Sequence, residues 1–547
     1  MKKLNMWKLD VEVTRQGAPC LRLSSPSDGA SIAHRILAER KCMDRRGSLP
    51  ESSYVSPHAS SHGPTDAALD AALAALAGAP PAFDAPVSRH TLSNGLEVLV
   101  LEDHRAPVVG HALWYRVGSL DETSGVTGIA HVLEHMMFNG TTRYGPGEYD
   151  QQMRALGAYA NALTWTDYTA YTVEAPASRL ADVMALEAER MTDLRITDAE
   201  FEREIRVVME ERRQSSDDDP AGLLYESLYA SAFHASPQRW PIIGWMSDLE
   251  SMRAEDARHW YENWYRPDNA MLVVAGDVAP QAVFALAQRC FGGIAPAAPA
   301  APVRRRAQIE PEQRGTRRIV TRALVPAPQL ALGFKVPRLS DPRADDDVYA
   351  LAVLAELLDW GRILETAVVR RRRLADETWA TYDYLAREPG LFIVGAVCAA
   401  EVTPARVERG LRAAIAAIAR DGVTPAALQR VRTQLLSARL YRSDSVFEQA
   451  DELGRMAMLG LAGDVRTIDA RLAAVTTAQL QDVAARYFSD DTMTVAVLLP
   501  GDEAEEDDED DEIHDADGDQ AERTISHENT PADDNAARPR SGRRDAR

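Results

Sequence analysis

The chain has 547 residues, 45% of them hydrophobic, and carries 61 basic against 83 acidic side chains for a formal net charge of −22. That length exceeds one typical domain, and the acidic balance argues against nucleic-acid binding because phosphates are repelled. No run of about 18 apolar residues is present to cross a membrane.

Residues 1–87 read as a poorly ordered extension. The stretch 1–64 is polar, with scattered Ser, His and Arg, and lacks the continuous apolar core of an export signal. As it stands the chain reads as cytoplasmic; a different amino terminus is what a periplasmic reading requires. Residues 67–79 are Ala/Leu-rich but interrupted by Asp70, and read as a short helix or the remnant of a masked signal. Cys20, Cys42, Cys290 and Cys398 are widely spaced and form no Cys-x-x-Cys pair, so they read as structural or incidental thiols.

From residue 88 the pattern is that of a folded domain, expected to run to 294. Residues 95–101 have the pattern of a strand. The next segment, Gly128 to Phe138, is mostly apolar and contains His131-Val132-Leu133-Glu134-His135. Helical spacing puts the two imidazoles and the carboxylate on one face. Two imidazoles can hold a zinc ion, and a nearby carboxylate can take a proton from a zinc-activated water. The order His-x-x-Glu-His is the reverse of the His-Glu-x-x-His protease motif. Thr123 and Ser124 offer helix-capping side chains, and Asn139-Gly140 offers a stop. Burying Glu134 among Leu133, Met136 and Met137 costs several kcal/mol unless it is paired or lines a cleft, so a metal site explains this helix better than two chance surface histidines.

A catalytic zinc usually takes three protein ligands. The helix expected over 197–211 is a source for the third. Thr197 and Glu200 fit a capping box, and the apolar stripe runs Phe201, Ile205, Val208. Glu204 and Glu211 fall on that stripe while Glu202 points away. Arg203, Arg206, Arg212 and Arg213 account for the other carboxylates as ion-pair partners, but a carboxylate pair on a buried face calls for a cation.

A further strand is expected over 269–274. The Pro/Ala-rich stretch at 295–309 reads as a stiff linker, followed by a second folded domain over 310–500. There, residues 351–358 can be laid over 129–136, with Val353 in place of His131 and Leu357 in place of His135. Each half mixes strand patterns with amphipathic helices, such as 404–419, so the fold class is α+β, two domains packed as a pair. From 501 to 547 the chain becomes a solvating tail: residues 502–519 hold 13 acidic side chains, and Arg538, Arg540, Arg543, Arg544 and Arg547 close the chain. Such a composition cannot bury a core and is expected to be disordered.

On these residues the sequence resembles the pitrilysin/insulinase family of zinc metallopeptidases, the inverzincins, which includes the mitochondrial processing peptidase β-subunit. The matching signature is His-x-x-Glu-His with a glutamate about 76 residues later, which lands on Glu211. Further matches are Ser93-Asn94-Gly95-Leu96, Asn161-Ala162-Leu163-Thr164 with Asp167-Tyr168-Thr169, and Tyr265-Arg266-Pro267-Asp268-Asn269-Ala270 with Gly276-Asp277. The likeness covers residues 88–500. It implies two homologous pitrilysin-like α/β-sandwich domains, the first zinc-bearing and the second degenerate. It implies one zinc per chain on His131, His135 and Glu211, with Glu134 as general base and Glu204 orienting a ligand. Asn161, Ala162 and Thr164 then belong to an edge strand that binds extended peptide substrate by main-chain hydrogen bonds, and the activity is that of a zinc-dependent endopeptidase. The family's sites are completed by an arginine and a tyrosine from the inactive domain. Here Arg370-Arg371-Arg372-Arg373-Leu374-Ala375-Asp376 puts Asp376 at the tyrosine position, leaving Tyr382 and Tyr384 as substitutes. That departure favours the two-chain members, so a homo- or heterodimer with a zinc-free pitrilysin-like subunit is expected. The alternative is a non-catalytic structural subunit of the same fold.

Overall fold

Alternating apolar residues build two sheets in the computed structural model, which describes residues 86–295 and 308–501 together with a two-residue pairing of Glu12–Val13 with Pro19–Cys20. Almost all of the expected extension (1–87), linker (295–309) and acidic tail (501–547) lies outside the described residues, as do Cys20 and Cys42 in their side chains. The first sheet contains β1 (Ser88–Thr91), β2 (Glu97–Glu102), β3 (Val108–Tyr115), β4 (Tyr159–Thr164), β5 (Thr169–Pro176) and β6 (Ala270–Gly276), in the order β1-β2-β6-β3-β5-β4. The second contains β7 (Arg317–Ala323), β8 (Gln329–Val336), β9 (Ala375–Tyr382), β10 (Gly390–Cys398) and β11 (Met493–Pro500), in the order β9-β10-β8-β11-β7.

The second sheet repeats the first. β2 pairs parallel with β6, and every following neighbour is antiparallel. β7 pairs parallel with β11, and the rest are again antiparallel. Strand for strand, β7-β11-β8-β10-β9 matches β2-β6-β3-β5-β4. The chain is therefore an α+β protein of two homologous domains.

Eight helices matter here: α1 (Ile129–Met136), α2 (Leu180–Thr192), α3 (Asp198–Arg212), α4 (Pro220–Ala232), α5 (Pro280–Phe291), α6 (Asp346–Leu358), α7 (Pro404–Asp421) and α8 (Val446–Met458). The period-2 alternation of strands divides each sheet between two cores. On the first sheet, Val98, Val100, Leu113, Tyr115, Leu272 and Val274 pack under α1, α2, α3 and α5. The opposite face, with Leu99, Ala112, Trp114 and Val273, meets Ala450, Leu453 and Met456 of α8, which comes from the second half of the sequence. The exchange is reciprocal: Leu224 and Leu228 of α4, from the first half, cover Ala331, Leu391, Ile393, Ala496 and Leu498 of the second sheet. Packing therefore does not follow the midpoint of the chain. Helix α6 stands between β8 and β9 as α1 stands between β3 and β4. It is apolar nearly all round, with Val353 and Leu357 fully buried, so the place of the histidines is taken by core. Among the described residues no helix is long and apolar enough to cross a membrane.

The α8 crossing depends on glycine. A Cβ on Gly454 would lie 2.2 Å from the ring of Trp114, which is itself fully buried. Gly454→Val is expected to destabilise the chain by about 1–3 kcal/mol through overpacking. Gly463→Ala, with open space around it, should stay within about 0.5 kcal/mol of the parent. Urea unfolding of both variants checks this, and equal midpoints would show that α8 does not seat on Trp114.

Candidate metal centre

Helix α1 starts without a capping hydroxyl. Its N-cap is Gly128 in the left-handed region (φ 88°), where a Cβ would lie 2.4 Å from the carbonyl oxygen of Ile243. The expected caps Thr123 and Ser124 do not serve. Instead the buried carboxylate of Glu122 accepts from the N–H of Gly128 (2.9 Å) and of Ala130 (3.0 Å), satisfying amides that the helix leaves open. At the other end Asn139 keeps a negative φ and Gly140 alone turns positive, at 121°. The Asn139 side chain is used elsewhere, as shown below.

Helix α3 begins as the sequence predicts, with Thr197 and Glu200 in a reciprocal capping box. Phe201, Ile205 and Val208 are buried, Glu202 is exposed, and Glu204 and Glu211 face α1. Their neighbours are histidines, whereas Arg212 pairs with Glu226 and Arg213 with Glu210.

The two helices bring His131, His135 and Glu211 together, with one potential ligand atom from each within 4.8 Å of the others. Glu211 Oε2 lies 3.3 Å from His135 Nε2 and 3.9 Å from His131 Nε2. Tetrahedral coordination at ordinary zinc–nitrogen and zinc–oxygen bond lengths sets ligand atoms about 3.3 Å apart, so this donor set fits a small divalent cation with little movement. The Nδ1–H of His135 donates to Glu204 Oε1 (2.9 Å), which leaves its Nε2 lone pair for the centre, and Asn139 Nδ2 donates to Glu204 Oε2 (2.8 Å).

The electrostatics point the same way. Burial first, and His135 second, lower the His131 pKa to about 4, which keeps the ring neutral as a ligand must be. Burial pulls His135 down as well, but its hydrogen bonds with Glu204 and Glu211 outweigh that and raise it to about 10. A ring held between two carboxylates marks a place for positive charge, which a cation fills as well as a proton. The carboxyls of Glu204 and Glu211 resist burial, and His135 holds both below their ordinary value. Glu134, one residue before His135, is buried and its pKa is raised, by burial above all. Thr164 of β4 lies close enough to temper that rise, yet the Thr164 hydroxyl and Glu134 Oε2 both lack a hydrogen bond.

Asn161, Ala162 and Thr164 lie on β4, the outer strand of the first sheet. Trp165 N–H donates to Tyr168 O at the β4–β5 turn. With antiparallel alternation from there, Ala160, Ala162 and Thr164 turn their N–H and C=O groups to the open edge, and Asn161 turns its own toward β5. The Asn161 side chain reaches back instead, its Oδ1 accepting from Ala162 N–H at 2.9 Å. The expected substitutes for the missing tyrosine do not reach this region. Tyr382 is buried and donates to Pro337 O (2.5 Å), and Tyr384 packs on the core of the second domain. Asp376 is exposed at the start of β9, the strand that corresponds to β4.

Comparison with known proteins finds relatives over both domains. A family model described as insulinase (peptidase family M16) matches residues 97–244, and one described as the peptidase M16 inactive domain matches residues 251–435. The chain is 30% identical over 422 residues to the zinc protease PqqE of Helicobacter pylori, covering 75% of this chain and 92% of that protein. It is 23% identical over 421 residues to the mitochondrial-processing peptidase subunit beta of Lentinula edodes, covering 75% of this chain and 89% of that protein. The crystal structure of a protease from Helicobacter pylori superposes with a TM-score of 0.73 at 28% identity, covering 76% of this chain and all of that one.

Proposed function

The chain belongs to the insulinase family, peptidase family M16, and from that premise we propose that it is a zinc-dependent endopeptidase acting on extended or unfolded peptides. His131, His135 and Glu211 hold one metal ion. Bound there, such an ion would supply Lewis acidity toward a peptide carbonyl and a water molecule. Glu134 takes the proton on its carboxylate and delivers it to the leaving amine nitrogen. Glu204 fixes the tautomer and tilt of His135, and Asn139 holds Glu204 in place. Ala162 and Thr164 receive the peptide by main-chain hydrogen bonds on the open edge of β4, and the Asn161 side chain gives up Ala162 N–H as the peptide arrives.

The observation that carries this reading is the convergence of three donor atoms from two helices beside a buried carboxylate and the open edge of a strand. Among the described residues neither Tyr382 nor Tyr384 of the second domain turns to the site, which supports a second chain, another copy or a zinc-free pitrilysin-like subunit, as the completing partner. The test is direct. The purified chain should carry about one zinc and cut a quenched library of unfolded peptides. A chelator should remove zinc and activity together, and added zinc should return both. A chain that holds zinc and cuts nothing, alone or with its co-purifying homologue, is a structural subunit and the peptidase reading falls.

A further inference from the structure

The turn that ends β4 does not stand alone. In the second domain the counterparts of β4 and β5 are β9 and β10. Their connection, residues 383–389, reaches residues 165–168, the connection between β4 and β5. The two equivalent turns of the repeat therefore meet. The longer one is held from both sides. Arg455 of α8 donates to Asp383 (2.6 Å) and to the carbonyl of Leu385 (3.4 Å), while Ser236 Oγ donates to Glu388 (2.9 Å) and Gln238 Nε2 to the carbonyl of Pro389 (2.9 Å).

Arg387, on this turn, works in two directions. Its backbone N–H donates to Asp167 Oδ2 (2.7 Å). Its guanidinium takes Asp121 as a fork, Nη1 to Oδ2 and Nη2 to Oδ1, both at 3.1 Å. Both carboxylates are withdrawn from water, the side chain of Asp121 to 3% exposure. Burial raises the pKa of Asp167 above all, and the charge and the N–H of Arg387 oppose that rise.

Asp121 carries the second arm back to the same place. It accepts from Gly118 N–H (3.1 Å), and the segment 118–121 is strapped over the β4–β5 turn. Ser119 N–H donates to Trp165 O (3.1 Å) and Leu120 N–H to Thr166 O (3.0 Å). There is no slack, because a Cβ on Gly118 would lie 2.3 Å from Trp165 O. Thr164 immediately precedes this turn, and the bond from Trp165 N–H to Tyr168 O sets which residues of β4 face the open edge. A guanidinium fork fixes direction as well as distance, which an ammonium does not.

We propose that Arg387 is a positioning residue for peptide binding: from the second domain it clamps the β4–β5 turn, directly at Asp167 and through Asp121 at Trp165 and Thr166, and so holds Ala162 and Thr164 in register with an incoming chain. The inference rests on the reading of β4 as the peptide-binding edge.

The test uses full-length protein. Removing one member of a buried pair leaves a charge without a partner, so the main variant is Asp121→Asn with Arg387→Met, which removes both charges and keeps an acceptor for Gly118 N–H. Steady-state kinetics on an unstructured peptide should show KM raised about tenfold, within the roughly 10²-fold that a remote displacement of about 1 Å can cost, with kcat within twofold and zinc content unchanged. Arg387→Lys alone, which keeps the charge and loses the fork, should fall between this variant and the parent. In a Glu134→Gln background, so that peptide survives, fluorescence polarisation should show binding weakened by the same factor. Hydrogen exchange should be about tenfold faster at Ser119, Leu120 and Trp165 and unchanged on β8. A lower urea midpoint with KM, peptide affinity and exchange at the turn unmoved would make the pair structural only and overturn the inference. Equal effects on kcat and KM, or full rescue by Arg387→Lys, would overturn it too. Weakened binding in a chain that never cuts sustains the positioning role and sinks the peptidase reading. A chain that binds no peptide sinks both.

Discussion

Glu134→Gln is expected to lower kcat/KM on every peptide the chain cuts by about 10²–10⁴-fold while the zinc content stays near that of the parent. The size follows from what a positioned general base contributes. The substitution keeps the shape of the side chain and removes its basicity, and Glu134 supplies none of the three clustered donor atoms. Folding should not suffer. Glu134 is buried with Oε2 unpartnered and its pKa raised by that burial, so a neutral amide relieves a desolvation cost. Metal analysis and steady-state kinetics on the same preparation decide the matter. A rate within tenfold of the parent would remove Glu134 from the proton path, and a loss of zinc would make it a ligand or a support for one.

The second large effect concerns the metal itself. His131→Ala, His135→Ala and Glu211→Ala should each abolish activity and release zinc on dialysis, because a three-ligand site loses a third of its donors. Glu204→Ala should fall between these and the parent, with zinc bound about 10–100-fold more weakly, since it acts through the Nδ1–H of His135. Thermal unfolding gives a reading independent of catalysis. Free zinc at a hundred times its dissociation constant adds about 2.7 kcal/mol to a folded state that alone binds it, so added zinc should raise Tm in the parent and leave the three ligand variants unmoved. A variant that keeps both its zinc and its zinc-dependent Tm shift is not a ligand.

Much of this site was legible because helices make sequence spacing into geometry. His131, Glu134 and His135 share one turn. Glu204 and Glu211 share a stripe with Phe201, Ile205 and Val208, which fixes the face they present, and the Thr197–Glu200 box fixes where that helix begins. What spacing could not supply is anything set by the approach of distant chain. Glu122 caps α1 from six residues before it, in a role that looks like an ordinary surface acid until Gly128 is seen pinned against Ile243. The expectation for Tyr382 and Tyr384 failed for a similar reason: the strand that carries Tyr382 turns its ring into the core. Asn161 was correctly placed on an edge strand, yet which residues of that strand face outward depends on the hydrogen-bond phase at the Trp165–Tyr168 turn, and no hydrophobic pattern encodes that phase.

The exchange of α4 and α8 between the two sheets bears on how such a molecule can change over generations. Each domain keeps its own sheet but borrows part of its cover from the other, at Trp114 against Gly454 and at Leu228 against Gly333. Recombination at the junction between the halves would hand each sheet a helix fitted to a different surface. The two halves are therefore inherited as one unit: the second domain can do without histidines on α6, but not without the helix it lends to the first sheet.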